Sequence, residues 1–434
     1  MKISETRKQE IENFAKMLSF AKKPSDLAEA NLILGESAYG IRAMVSFRIN
    51  DPDCGFPVIP TDRFVIKDYV VPYLSDNYVY VMQHDRLIRP GYVIDHTITL
   101  DSNLASHVNE IIRTKSLKGL PPDVMSAFDA LLKQNINFDY MLYWLENIKQ
   151  AYPIALKMRE RGIISPIKFW KALKKGFRRN AVSLFLFRDI DSNHYARTGS
   201  LKFDNTYIRA FRETVDFCFE FYGSDEGNGI IKDIFLPLQR TMMILLLVIL
   251  RVQFSSSEGP RKKTKKFLEI MQDEMVYFDR ETIMAFRYFK KRSSISFLEI
   301  INPGGKQRDL LRKIDNLAWD MTWPRYAEWF ITNAGQGDYL ILFFLSFDRK
   351  LRELLKFYEV KAAIIDKDRR ILIPVPKMNT YDYFKKEGFS DFSKYFSEDM
   401  KKGREPKAGR ELQTLESSIR KRYRELRASL GWRK

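Results

Sequence analysis

A chain of 434 residues is long for one domain and suits two or three. Apolar residues at 45% and charged residues at 29% exclude a disordered chain, and two cysteines (Cys54 and Cys218) exclude a disulfide scaffold. The formal charge of +18 argues for a polyanionic partner, nucleic acid ahead of an anionic membrane surface.

Residues 1–40 predict helix, with Ile11, Phe14, Met17 and Leu18 on one stripe and no secretory apolar core. Residues 42–100 change to short β-like pieces broken by Pro and Gly, among them NYVYVMQ and GYVIDHTITL. Helical periodicity returns at residues 104–112 and 137–152. Residues 154–330 read as mostly helical, with polar loops expected at SNHYARTGS, YGSDEGNG and SSSEGPRKKTK. The run TMMILLLVIL, residues 241–250, is shorter than the roughly 20 residues of a membrane span and predicts a buried core helix. No membrane partner is expected, and the location expected is cytoplasmic.

Tyr339–Leu345 and residues 360–365 predict buried strands separated by the helix LRELLKF, the second ending in Asp366. From residue 401 the chain is rich in Lys and Arg. Leu412, Leu415, Ile419, Tyr423, Leu426 and Leu430 recur there at helical spacing, with Arg420, Lys421, Arg422, Arg424 and Arg427 expected mostly on other faces. That pattern predicts a helix that docks by its stripe and displays cations.

Four acids stand at pointed places. Asp348 ends the apolar run in DYLILFFLSFDRKLREL, and Asp101 follows the strand-like VIDHTITL in TLDSN; each precedes a helix. An acid there is either displayed at the ligand-binding edge of an α/β sheet or an ordinary helix N-cap. Glu146 lies mid-helix in NFDYMLYWLENIKQ, where pairing with Lys149 is the plain alternative and Asp139 competes for its role. Asp320 lies late in IDNLAWDMTWPRYAEW, with Asp315 as competitor. Carboxylates converging at strand ends repel one another unless a divalent cation is bound, and hard oxygen donors suit Mg²⁺ or Mn²⁺.

In this order the acids, with TLDSN early and an apolar strand ending in SFDRKL late, resemble the PIN-domain nucleases. The resemblance implies a PIN-like α/β/α sandwich around a parallel sheet, built from residues 91–150 and 305–376. Residues 151–304 would be a helical insertion, 1–90 a small α+β module and 377–434 a basic helical arm. It implies that Asp101, Glu146, Asp320 and Asp348 bind Mg²⁺ or Mn²⁺ for hydrolysis of RNA, less often DNA. Asn103 or Ser102 would support the first acid, while Arg349 and Arg352 would steady substrate phosphates. A toxin or anti-phage effector restrained by a regulatory partner fits the family analogy.

Two other readings stand beside it. FRDIDSNHYAR places Arg188 and His194 at the spacing of the HEPN ribonucleases, which cleave RNA without metal. Alternatively, the chain is a non-catalytic nucleic-acid-binding or scaffold subunit whose acids are caps and surface. Basic stretches with interleaved aromatics, FWKALKKGFRRN, GPRKKTKKF and FRYFKKR, would serve any of these by tracking a phosphate backbone while Phe169, Trp170 or Tyr288 stack on bases.

Overall fold

The computed structural model describes residues 4–432 except 65, 67–68, 85–92, 164, 276–278, 301–306, 334–337, 367–370, 405 and 407–409. Gly91 and Tyr92, the start of the strand expected from GYVIDHTITL, lie outside the described residues. Among the described residues there are nine strands: β1 Ile41–Phe47, β2 Val58–Pro60, β3 Val70–Pro72, β4 Tyr78–His84, β5 Ile94–Leu100, β6 Phe138–Asp139, β7 Tyr339–Leu345, β8 Val360–Asp366 and β9 Ile371–Pro376. They form two sheets, ordered β2-β4-β1-β8-β9 and β3-β7-β5-β6. The first is antiparallel throughout. In the second, β5 runs parallel to β6 and β7, and β3 is an antiparallel edge. The chain is thus a mixed α/β protein, mostly helical, with one mixed sheet.

Both faces of the first sheet are covered, which explains why its central strands are apolar at nearly every position. Ala43, Val45, Ala362 and Ile364 pack under the amphipathic helix Glu5–Phe20 through Ile11, Phe14 and Leu18. Met44, Ala363 and Ile365 face the opposite way, into the main core. Strand pairing crosses the boundaries expected from sequence. β8 pairs with β1 rather than with β7 and carries β9 on its other edge, and β3, from residues 1–90, pairs with β7. Periodicity records that a strand is buried, not which strand it joins.

The apolar run 241–250 belongs to a longer continuous helix, Asp225–Ser255, with a π-helical turn at Ile231–Phe235. That helix is long and apolar enough by composition to cross a membrane. Here it is the core, with Ile244 to Leu250 wholly buried. The C-terminal helix Leu412–Ser429 docks on it by Leu415, Ile419 and Leu426, as the stripe predicts. Arg422 departs from the expected display of cations: it turns inward to the buried Glu274 and also pairs with Glu425 at 3.0 Å. All three expected loops contain helix: Ser192–Thr198 in SNHYARTGS, Asp225–Ile230 in YGSDEGNG, and the start of Pro260–Glu274 in SSSEGPRKKTK, where only residues 256–259 are non-helical. Asp191 and Ser224 cap the first two, accepting from the amides of His194 and Gly227, and local caps sustain short helices that lack an apolar stripe.

Asp366, the second strand-end acid, has a structural partner. Arg7 donates to Asp366 Oδ2 from Nη2 at 2.9 Å and from Nε at 3.2 Å, and its Nη1 reaches the carbonyls of Ser37 and Tyr39. This buried contact ties the first helix to β8, so Arg7→Met is expected to destabilise the fold by ~3–5 kcal/mol. Denaturant unfolding checks it, and pairing the change with Asp366→Asn should cost less than the sum of the two single losses.

Candidate functional site

β5 and β7 lie side by side and parallel, with Leu100 opposite Leu345, so both end at the same edge of the sheet. Asp101 and Ser346 are the next residues on each strand. The Ser346 hydroxyl donates to Asp101 Oδ2 at 2.6 Å and accepts the Asp348 amide at 3.0 Å. The Asp101 amide donates to the Leu345 carbonyl at 2.9 Å. One serine therefore joins two strand-end acids that stand 247 positions apart in the chain, counting from Asp101 to Asp348. Reasoning from the sequence missed Ser346, although the SFD motif contains it, because a hydroxyl beside an acid carries no periodic signal.

Asp101, only 5% exposed, shares a small cavity with Glu146 and Asp320. Glu146 ends the helix Met141–Glu146, and Asp320 comes from the long helix Gln307–Asn333. Leu142, Leu145, Trp319, Thr322, Trp323, Tyr326, Phe344 and Leu351 complete an apolar wall. The cavity measures about 20 Å³, room for one water or one ion and not for a nucleotide. Tyr326 Oη and Trp319 Nε1 are buried on its lining with no hydrogen-bond partner among the described residues. Pro324 lies inside the long helix and has no N–H to give the Asp320 carbonyl four residues back. The stretch D-M-T-W-P carries that signal in the sequence.

The electrostatics follow from burial and like charge. Burial pushes the Asp320 carboxyl well above the usual carboxylate range; Glu146, Asp101 and Asp348 push it further, and Lys149 offsets them in part. Burial also raises Glu146, against a hydrogen bond from Ser102, with Asp101 adding to the rise and Lys149 opposing it. Asp101 is raised by burial, against hydrogen bonds from Ser346 and Asn103, and again by Asp348. Burial is thus the first cause at Asp101, Glu146 and Asp320 alike, and like charge from a neighbouring acid adds to it at each.

They are not equivalent in position. Asp348 is exposed, lies outside the cavity lining, and caps the helix Arg349–Leu355 by accepting from the amides of Lys350 and Leu351 on Oδ1. Among the described residues, no three Asp, Glu, His or Cys side chains stand close enough to hold a metal ion. Asp139 accepts from Thr97, Thr99 and the Met141 amide, a structural role. Asp315 is occupied by Gln239 and Arg240.

Of the residues expected to support substrate, Asn103 is exposed at the start of the helix Leu104–Thr114. Arg349 has an 84% exposed side chain paired with Glu353. Arg352 instead donates to the Ser346 carbonyl at 2.7 Å and lies over the Tyr69 ring, holding the strand end in place. Arg188 pairs with Asp189 and Glu213, while His194 meets Ser200, so neither side chain contacts the other's partners.

No protein-family model matches the chain, and no curated protein or solved structure is significantly similar to it.

The raised carboxyls carry a pH signature. A carboxyl whose folded pKa exceeds its unfolded value of about 3.9 contributes stability below that value and loses it as pH rises through the folded pKa. In EDTA, Asp320→Asn should therefore melt about 2–4 °C above the parent at pH 7, with the gap closing toward pH 4. Thermal unfolding across that range checks it. A gap that does not change between pH 4 and 7 would mean that Asp320 ionises at no cost.

Proposed function

We propose that the chain is a metal-dependent endonuclease, with RNA ahead of DNA as substrate, on a PIN-like arrangement of helices around the β3-β7-β5-β6 sheet. One observation carries this reading: carboxylates from three separate segments line one ion-sized cavity, and a fourth acts on two of them electrically. Burying like charges together costs stability unless a cation offsets them, so the arrangement calls for a counter-charge stronger than Lys149 supplies.

The donor chemistry fits Mg²⁺ or Mn²⁺, because every candidate ligand is a hard oxygen. Asp101, Glu146 and Asp320 would hold the ion, with Asp348 at the rim, and the carboxylates must draw together to do so. Such an ion supplies Lewis acidity, activating water and offsetting the charge that develops on a phosphodiester. Ser346 holds Asp101 in orientation by its hydrogen bond. Asn103 and Arg349, both exposed, would meet substrate phosphates. A cavity of about 20 Å³ admits no nucleotide, so the scissile phosphate would lie across its mouth. Hydrolysis in this family's manner leaves a 5′-phosphate and a 3′-hydroxyl. A cytoplasmic toxin or anti-phage effector held in check by a regulatory partner is the role the resemblance implies.

The cap made by Asp348 favours a second reading, a non-catalytic nucleic-acid-binding or scaffold subunit. Labelled single-stranded RNA and matched DNA, incubated with Mn²⁺ or with EDTA, separate the two. Cleavage is expected with Mn²⁺ alone, reduced on the order of 100-fold by Asp320→Asn and about 10-fold by Ser346→Ala. Binding without cleavage would establish the scaffold, and cleavage surviving EDTA and both substitutions would point to Arg188 and His194.

A further inference from the structure

Of the three basic stretches noted in the sequence, two are largely engaged by the protein itself. In the helix Pro260–Glu274, Arg261 pairs with Asp391 at 2.8 Å, Lys265 sits 4.0 Å from Glu269, and Lys263 is buried against Gln253. In the helix Asp279–Lys290 and just after it, Lys290 pairs with Glu387, Arg287 lies over the Phe357 and Tyr383 rings, and Arg292 over Phe254.

The third stretch differs. It forms an elbow between the helices Pro166–Ala172 and Lys175–Arg188. Its aromatics turn inward: Phe169 is 1% and Trp170 4% exposed, so neither can stack on a base, and Tyr288 at 1% cannot either. That inward turn presents Lys168, Lys171, Lys174, Lys175 and Arg179 to solvent. None of them pairs with a carboxylate among the described residues, and residues 166–188 contain no acid at all. Arg178, half-buried beside them, has an Nε with no acceptor among the described residues.

The elbow abuts a helix that lines the acid cleft. Tyr143, three residues before Glu146 on the same helix, donates to the Phe177 carbonyl at 3.1 Å. Its ring stacks on Phe177 at 5.6 Å. The first turn of the basic helix thus lies against the helix that carries Glu146.

We infer that the elbow at residues 168–179 is a docking track for the sugar–phosphate backbone of a nucleic acid passing to the acid cleft. Six cations with no ion pair among the described residues complement a chain of phosphates, one charge per nucleotide. A lipid surface fits less well, because interfacial helices expose an apolar face beside their cations, and Ile167 is the elbow's only exposed large apolar residue. The direction of passage rests on the nuclease reading; the docking does not.

The test is fluorescence anisotropy in EDTA, where no metal-dependent cleavage occurs. Labelled single-stranded RNA and DNA 20-mers are titrated against the full chain at several salt concentrations, with circular dichroism verifying each variant's fold. The probe variant is Lys171→Gln, Lys174→Gln, Lys175→Gln and Arg179→Gln combined. The control is Lys262→Gln, Lys265→Gln and Lys266→Gln, which removes comparable charge from the Pro260–Glu274 helix. The probe variant should bind at least 10-fold more weakly at 100 mM salt, with a salt slope shallower by about 0.7 for each phosphate that is no longer neutralised, and the control within about 2-fold of the parent. Equal weakening in both variants would overturn the track, as would a parent chain that binds neither oligonucleotide. A parent that instead binds phosphatidylserine vesicles through the same lysines would also overturn it. If the parent binds through the elbow yet cleaves nothing with Mn²⁺, the nuclease reading falls and the track stands.

Discussion

Three carboxylates share a cavity with room for a single ion, and much of the surrounding structure manages that repulsion. Ser346 is the pivotal group, because its hydroxyl serves the strand end on both sides: it donates to the buried Asp101 and accepts from the Asp348 amide. Without that hydroxyl, Oδ2 of a carboxylate only 5% exposed would be desolvated and left without the hydrogen bond that offsets its burial. Arg352 secures the serine in turn by gripping its carbonyl. Hydrogen bonds to the charged form thus oppose desolvation, and the like charges of the neighbouring acids reinforce desolvation.

Asp320 is held by different means. Its helix carries Arg325 and Glu328 one and two turns further on, and these form a buried ionic network with Arg280 and Glu281. Arg280 also donates to the Tyr358 carbonyl, just ahead of β8. The network therefore links the helix bearing Asp320 to the first sheet, while Trp323 packs its other side on Phe344 of β7. Buried ion pairs seldom add much net stability, but removing one partner is expensive, so they fix geometry. Here they set the height of Asp320 over the strand ends.

Much of this was legible in the chain. An apolar run that stops at an acid marks a buried strand end, as it does at Asp101 after β5, and three of the four acids singled out in the sequence line one cavity. The stripe on the last helix and the buried run 241–250 were equally readable, since both depend on local periodicity. What escaped depends on distant partners. Arg422 reads as one more surface cation until Glu274, 148 residues away, turns it inward. β8 reads as the companion of β7, because nothing in its own residues names β1. Even the basic stretches look alike in sequence and differ only in whether the fold brings acids to them, as it does for Arg261 and Lys290 but not for Lys174.

The two readings of Asp348, helix cap and site residue, turn out to be compatible. A carboxylate has two oxygens, and both capping amides are taken by Oδ1. Capping therefore fixes the plane of the group without committing Oδ2 to the helix. The Ser346 hydrogen bond to the Asp348 amide fixes the backbone at the same point, so the cap and the strand end orient the carboxylate together. A loosely held acid would have to lose rotamer freedom to bind a cation, whereas this one has lost part of it on folding. The bland explanation of an aspartate at a strand end is, in this chain, the means by which the sharper one becomes physically workable.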